Sequence, residues 1–141
     1  SAGPDPRYAA ADDAMAAGDF ELAVAEFDKL LNATPADAEA KAGRAQASLL
    51  ARVTKVTDPE AALRAADARP DDRDAQLAAA DVELTQGRLE QAFARVISVI
   101  RNASGEARDS ARLRLLELFE TVSPEDPAVL KARRDLMSAL F

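Results

Sequence analysis

The stretch Gly18-Asp19-Phe20-Glu21-Leu22-Ala23-Val24-Ala25-Glu26-Phe27 returns, altered but in step, as Gly87-Arg88-Leu89-Glu90-Gln91-Ala92-Phe93-Ala94-Arg95-Val96. In each, a Gly is followed five residues on by Ala and nine on by a bulky apolar side chain, Phe27 or Val96. A Gly at a helix end can adopt the left-handed conformation that turns the chain. A small Ala lets two helices approach closely, and the bulky residue fills the space between the hairpin and its neighbour. Pro35, seventeen residues after Gly18, breaks the chain and starts a new unit; Ser104 holds the matching place after Gly87. The glycines lie 69 residues apart and Pro35 and Pro70 lie 35 apart, close to multiples of a unit of about 34.

Reading outward, start and stop signals divide the chain into about eight helices. The first spans residues 5–17, with Pro6 tolerated in its opening turn. The second spans 20–32, and Thr34-Pro35-Ala36-Asp37 separates it from a third that ends near Val53. Asp58-Pro59, a cap followed by Pro at the first helical position, starts a short fourth that stops near Arg69-Pro70. Asp71 or Asp72 caps the fifth, which ends at Gly87, and the sixth covers 89–101. Ser104-Gly105 precedes the seventh, to about Val122, and Ser123-Pro124-Glu125-Asp126-Pro127 precedes the eighth. Val96-Ile97-Ser98-Val99-Ile100 is β-branched, yet Leu89, Phe93, Val96, Ile97 and Ile100 keep helical spacing and read as helix. The middle unit is degenerate: Arg52-Val53 stands where Gly-Asp is expected, and its second helix is short.

This spacing is that of the tetratricopeptide repeat, a helix–turn–helix unit that cannot bury its apolar face alone and so must stack. The expected fold is all-α, with stacked helical hairpins in a tetratricopeptide-like right-handed solenoid over residues 5–141. Residues 1–4 read as a disordered or tag-derived lead.

Composition agrees. Ala, the strongest helix former, supplies 34 of 141 residues, and Cys, His and Trp are absent. Disulfides, thiol chemistry and histidine-based acid–base or zinc chemistry are thereby excluded. The net charge of −7 argues against nucleic-acid and anionic-membrane partners. No apolar run reaches the roughly 20 residues of a membrane span, and the opening residues lack the basic-then-apolar pattern of an export signal. A cytoplasmic location is expected. The sequons Asn32-Ala33-Thr34 and Asn102-Ala103-Ser104 fall between helices and read as coincidence.

Three longer segments carry a further resemblance. They are Asp74-Ala75-Gln76-Leu77-Ala78-Ala79-Ala80-Asp81 with Gly87 to Phe93; Arg114-Leu115-Leu116-Glu117-Leu118-Phe119-Glu120 with Asp126-Pro127; and Ala132-Arg133-Arg134-Asp135-Leu136-Met137-Ser138-Ala139-Leu140-Phe141. In this order they resemble the C-terminal half of YbbN-type thioredoxin-like co-chaperones, or chaperedoxins. Asp5-Pro6-Arg7-Tyr8 resembles the junction after that family's thioredoxin-like domain. The resemblance implies a repeat domain excised from a longer chain, which binds chaperones and unfolded clients in protein quality control. Any redox activity would belong to the other half, since no Trp-Cys-x-x-Cys motif is present here.

Candidate docking residues follow from helical spacing. In stacked hairpins the first helix of each unit lines the concave face. The stripes there are Asp5, Tyr8, Asp12 and Met15; Glu39, Ala42, Gln46 and Leu49; and Asp74, Leu77, Asp81 and Leu84. They describe an acidic floor with apolar patches, suited to a cationic, partly apolar segment of a partner. A clamp for a terminal carboxylate needs cations on this stripe, where Tyr8, Asp12, Gln46 and Asp81 stand instead, so no such clamp is expected and acidic tails are expected to be repelled. The last helix has two apolar stripes, Val129-Ala132-Leu136-Leu140 and Leu130-Met137-Phe141. A helix that only capped a stack would be polar outside. The first stripe is expected to pack on Leu115, Leu118, Phe119 and Val122, and the second to dock a chaperone partner or another copy of the chain. Arg112, Arg114, Arg133 and Arg134 are expected to pair with Asp109, Glu117, Glu120 and Asp135 on their own helices.

No enzymatic reading survives. The pairs Asp12-Asp13, Asp71-Asp72 and Glu125-Asp126 are adjacent, and neighbours on a helix do not converge. No two Gly lie close enough to form a phosphate-cradling loop. No catalytic, cofactor or metal residues are expected, and the partners are other proteins. The alternative function is a structural assembly module that self-associates or organises a non-chaperone complex.

Overall fold

A computed structural model describes residues 5–141, all helix and turn; the reading of residues 1–4 lies outside the described residues. Eight α-helices follow a short 3-10 turn at Pro6–Tyr8: α1 Ala9–Ala16, α2 Phe20–Ala33, α3 Ala38–Val53, α4 Pro59–Ala68, α5 Arg73–Thr85, α6 Leu89–Asn102, α7 Gly105–Phe119 and α8 Pro127–Leu140. The eight expected helices are present, but the opening turn at Pro6–Tyr8 is 3-10 rather than α, and α7 stops at Phe119, short of the expected Val122. They fall into two compact units, the first ending at Arg52 and the second running Val53–Phe141.

Local chemistry sets the boundaries. The carboxylates of Asp19, Asp37, Asp58, Asp72 and Asp126 each accept a backbone N–H in the first turn that follows, at 2.9–3.1 Å. Much of the chain's acidity thus sits at helix N-termini, where it meets otherwise unpaired donors and the positive end of the dipole. Two hairpin turns share one geometry. Gly18 and Gly87 have φ of 75° and 78°. Each donates to the carbonyl three residues back, and the next residue donates to the carbonyl five back at 2.9 Å. This Schellman closure needs the left-handed residue that Gly provides.

In the first unit, Tyr8, Ala11, Ala14, Ala23, Phe27, Ala40 and Ala47 form one buried cluster. Ala23 is fully buried, as its place in the motif requires. Gly43 of α3 lies against the Phe27 ring so closely that a Cβ there would stand 2.4 Å from Cζ. In the second unit α5 packs on α4 and α6, and α6 also receives both α7 and α8. Ala92, Phe93, Val96, Ile97, Val99 and Ile100 make α6 the apolar centre of that unit. The Phe93 and Phe119 rings meet edge-on, with centroids 5.1 Å apart.

One packing expectation is corrected here. The buried stripe of α8 was expected to lie on α7, but α8 packs chiefly on α6, where Phe93 and Ile97 face Ala128 and Ala132. An amphipathic pattern fixes which face of a helix is buried; it does not name the helix that covers it.

Candidate partner-docking surfaces

The eighth helix resolves its two stripes. Ala128, Val129, Ala132 and Leu136 are buried, and Leu140 is half-buried. Leu130, Met137 and Phe141 are 45%, 60% and 96% exposed. By helical spacing they fall on one side of α8 and its C-cap, so three large apolar side chains face water along one line. A scattered exposed Leu needs no account, whereas an aligned set marks a surface built for contact.

Around this line the charges are cationic. The Arg133 guanidinium lies 4.7 Å from the Phe119 ring centroid, and Arg134 is exposed. The Arg108 guanidinium donates to the Leu140 carbonyl at 3.0 Å, which satisfies an end carbonyl of α8. Lys131 donates to Asp135 at 2.6 Å. That bond, helped by the charges of Arg101 and Arg134, holds the Asp135 carboxyl below its usual pKa. The same-helix pair expected between Arg112 and Asp109 forms, at 2.8 Å. Arg114 reaches across to Asp81 on another helix, and Asp135 takes Lys131.

The stripes assigned to first helices are divided by the structure. In the first unit Asp5 and Asp12 are exposed, and Met15 and Gln46 are half-buried. Asp5 also caps the 3-10 turn and pairs with Arg7 at 3.4 Å. Tyr8 and Leu49 are buried. The Tyr8 hydroxyl donates to Asp37 at 2.8 Å, which raises the phenol's pKa; Asp37 is held low first by the Ala40 N–H and then by that hydroxyl. In the second unit Leu77 is half-buried and Leu84 buried. Asp81 is only 2% exposed and bonds Arg114 at 3.2 Å. Tyr8, Leu49, Asp81 and Leu84 are therefore interior side chains. Asp81 turns inward because a guanidinium from α7 waits there, a pairing between residues 33 apart that same-helix spacing cannot reveal.

A network absent from the sequence reading joins three helices of the second unit. Arg95 of α6 donates to Glu83 of α5 at 2.6 Å, to Gln76 of α5 at 3.0 Å and to Asp67 of α4 at 3.0 Å. Gln76 in turn donates to the end carbonyls of α4, at Ala66 and Arg69. Glu83 and Gln76 are buried. A polar pair on an otherwise apolar helix face is the signal that could have found it. Among the described residues no group of three or more acidic side chains is placed to hold a metal ion. No helix there is long and apolar enough to cross a membrane.

Residues 52–141 match the family described as Tetratricopeptide repeat, and the chain belongs to that family. Its members are helical protein-interaction modules. The chain is 42% identical over 137 residues to the Uncharacterized protein Rv1324 of Mycobacterium tuberculosis and, equally, to the Uncharacterized protein Mb1359 of Mycobacterium bovis. The match takes in 97% of this chain and 44% of each relative, so the chain spans less than half the length of the relatives it resembles. No solved structure matches.

Proposed function

We propose that this chain is the partner-binding scaffold of a thioredoxin-like co-chaperone that acts in cytoplasmic protein quality control. Its partners are chaperones and unfolded clients, and its own residues carry no chemical step. The observation that carries the reading is the aligned exposure of Leu130, Met137 and Phe141 on a helix whose opposite face is already buried. Membership of a protein-interaction family supports it, as does the order of the segments that resemble chaperedoxins. The thioredoxin-like domain belongs to this proposal as part of a longer protein, for which the length of the relatives leaves room. In the first unit the exposed carboxylates of Asp5 and Asp12, with Met15 and Gln46 partly accessible, are the groups proposed to meet cationic, partly apolar segments; in the second unit, taken by itself, Leu77 is partly accessible for the same role.

The test is suppression of aggregation. A thermally unfolding client enzyme is followed by light scattering with the chain alone and with a chaperone added. The wild type is expected to lower scattering or speed recovery, and Met137→Glu with Phe141→Ser to lose most of that effect while far-UV circular dichroism is unchanged. Equal activity of wild type and variant would remove α8 from the reading. A mass that rises with concentration, in the absence of any client, would favour the self-assembling module instead.

A further inference from the structure

The charge of this chain is distributed unevenly. Residues 1–100 hold 11 cationic and 18 acidic side chains, which accounts for the whole net charge of −7; residues 101–141 hold seven of each. On α8 itself Lys131, Arg133 and Arg134 face a single acid, Asp135, which Lys131 already engages. At about 100° per residue, Leu130, Met137 and Phe141 fall within an arc of about 40°, with Arg133 on one flank and Arg134 on the other. Arg133 lies over the Phe119 ring, 4.7 Å from its centroid, a cation–π contact that favours this placement of its guanidinium. The exposed line is therefore an apolar ridge between two cationic rails, on a molecule that is otherwise acidic.

We infer that this ridge docks an acidic amphipathic helix of a partner protein. Apolar side chains of that helix would lie on Leu130, Met137 and Phe141, and its carboxylates would take charge-assisted bonds from Arg133 and Arg134. The inference rests on the interaction-scaffold reading above and adds the sign of the partner's charge. It concerns the outer face of α8, whereas the stripes that include Asp5 and Asp12 carry the opposite charge. A second copy of the chain fits poorly, because two α8 faces would set like charges against each other. The ridge is also only about 16 Å long and no wider than the roughly 10 Å of a helix, an area of about 160 Å² against the roughly 800 Å² per partner that a stable interface uses. The docking is accordingly transient and sensitive to salt. Lipid fits poorly too: an interfacial helix lays its broad apolar face in the headgroups, and in α8 that face is spent on α6.

The experiment uses the full chain and a labelled synthetic helix with Leu at i, i+3, i+7 and i+10 and Glu on either side. A second peptide replaces every Glu by Lys, and vesicles of phosphatidylserine with phosphatidylcholine form a third arm. The acidic peptide is expected to bind, to weaken as salt rises from about 50 to 300 mM, and to lose affinity roughly three- to tenfold with Arg134→Glu. Met137→Glu is expected to abolish binding with unchanged circular dichroism. Four results would overturn the inference: no binding of the acidic peptide; Lys-peptide binding that Met137→Glu also abolishes; vesicle binding abolished by the same substitution; or a concentration-dependent dimer that this substitution dissolves. Failure here with a preserved effect of Met137→Glu on client aggregation would leave the scaffold reading standing and remove only the acidic partner.

Discussion

The guanidinium of Arg95 on α6 grips the carboxylate of Glu83 on α5 at 2.6 Å, inside the hairpin that repeats the pattern of the first unit. Glu83 is buried, Arg95 keeps only a small exposed fraction, and its remaining donors reach Gln76 and Asp67. The bond to Glu83 is the main reason the Arg95 pKa stands above its usual value. Removing one member of a buried pair strands the other without water, a loss of about 3–5 kcal/mol when burial is complete. Because Arg95 is partly open, Arg95→Met is expected to cost about 2–3 kcal/mol. The double substitution Arg95→Met with Glu83→Met should recover more than half of that. Urea unfolding measures both, and additive losses in the double variant would show that the two residues do not act as a pair.

The seating of the Phe27 ring of α2 against Gly43 of α3 makes a second prediction. A Cβ at Gly43 would lie 2.4 Å from Phe27 Cζ and 2.5 Å from Cε1. In an open helix Gly→Ala would stabilise, by roughly 0.5–1 kcal/mol. Here the ring is buried and cannot swing into solvent. Gly43→Ala is expected to destabilise by about 1–3 kcal/mol, and adding Phe27→Leu should relieve part of it. Thermal melts decide the sign, and a Gly43→Ala variant that melts higher than the wild type would refute the tight seating of the Phe27 ring on Gly43.

Asp81 and Asp12 carry the same charge in comparable stripe positions, yet they should respond differently to reversal. Asp81 is buried against Arg114, whereas Asp12 stands in solvent on α1. Asp81→Lys would bury two like charges together and is expected to cost several kcal/mol. Asp12→Lys should stay within about 0.5 kcal/mol of the wild type. Denaturant midpoints for the two variants check this. A partner assay on the acidic stripes should accordingly use Asp12→Lys, since lost binding in Asp81→Lys would be confounded by lost folding. Equal midpoints for the two variants would contradict the inward pairing of Asp81.

The helix boundaries were legible because capping is local. Asp19, Asp58, Asp72 and Asp126 each precede the helix they cap, and Gly18 and Gly87 each end one. Periodicity then separated inward from outward faces, as in α6, where Phe93, Val96, Ile97 and Ile100 are all buried. What spacing could not show is which side chains meet across the fold. The pairings of Asp81 with Arg114, Arg95 with Glu83 and Gly43 with Phe27 join different helices. The seating of α8 on α6 is of the same kind. On α8 two stripes of similar apolarity competed, and only the packed structure shows that Val129, Ala132 and Leu136 are covered while Leu130, Met137 and Phe141 are not.

The Tyr8–Asp37 contact makes stability depend on pH in a direction that can be worked out. Ala40 N–H and then the Tyr8 hydroxyl hold the Asp37 pKa below its usual value, and the same bond raises that of Tyr8. A carboxylate with a depressed folded-state pKa contributes stability above its unfolded pKa of about 3.9, and that contribution is lost as pH falls through the folded value. A phenol with a raised pKa contributes below about 10, and loses that contribution as pH rises through its folded value. The stability gap between wild type and Asp37→Asn is therefore expected to stay level from about pH 5 to 8 and to close below about pH 4. Tyr8→Phe should narrow the same gap on the acid side, because it removes one of the two donors that hold the carboxylate low. Urea midpoints at half-unit pH steps measure this. A gap that widens on acidification would mean that Asp37 is protonated more readily in the folded chain than in the unfolded one, contrary to the hydrogen bonds it accepts.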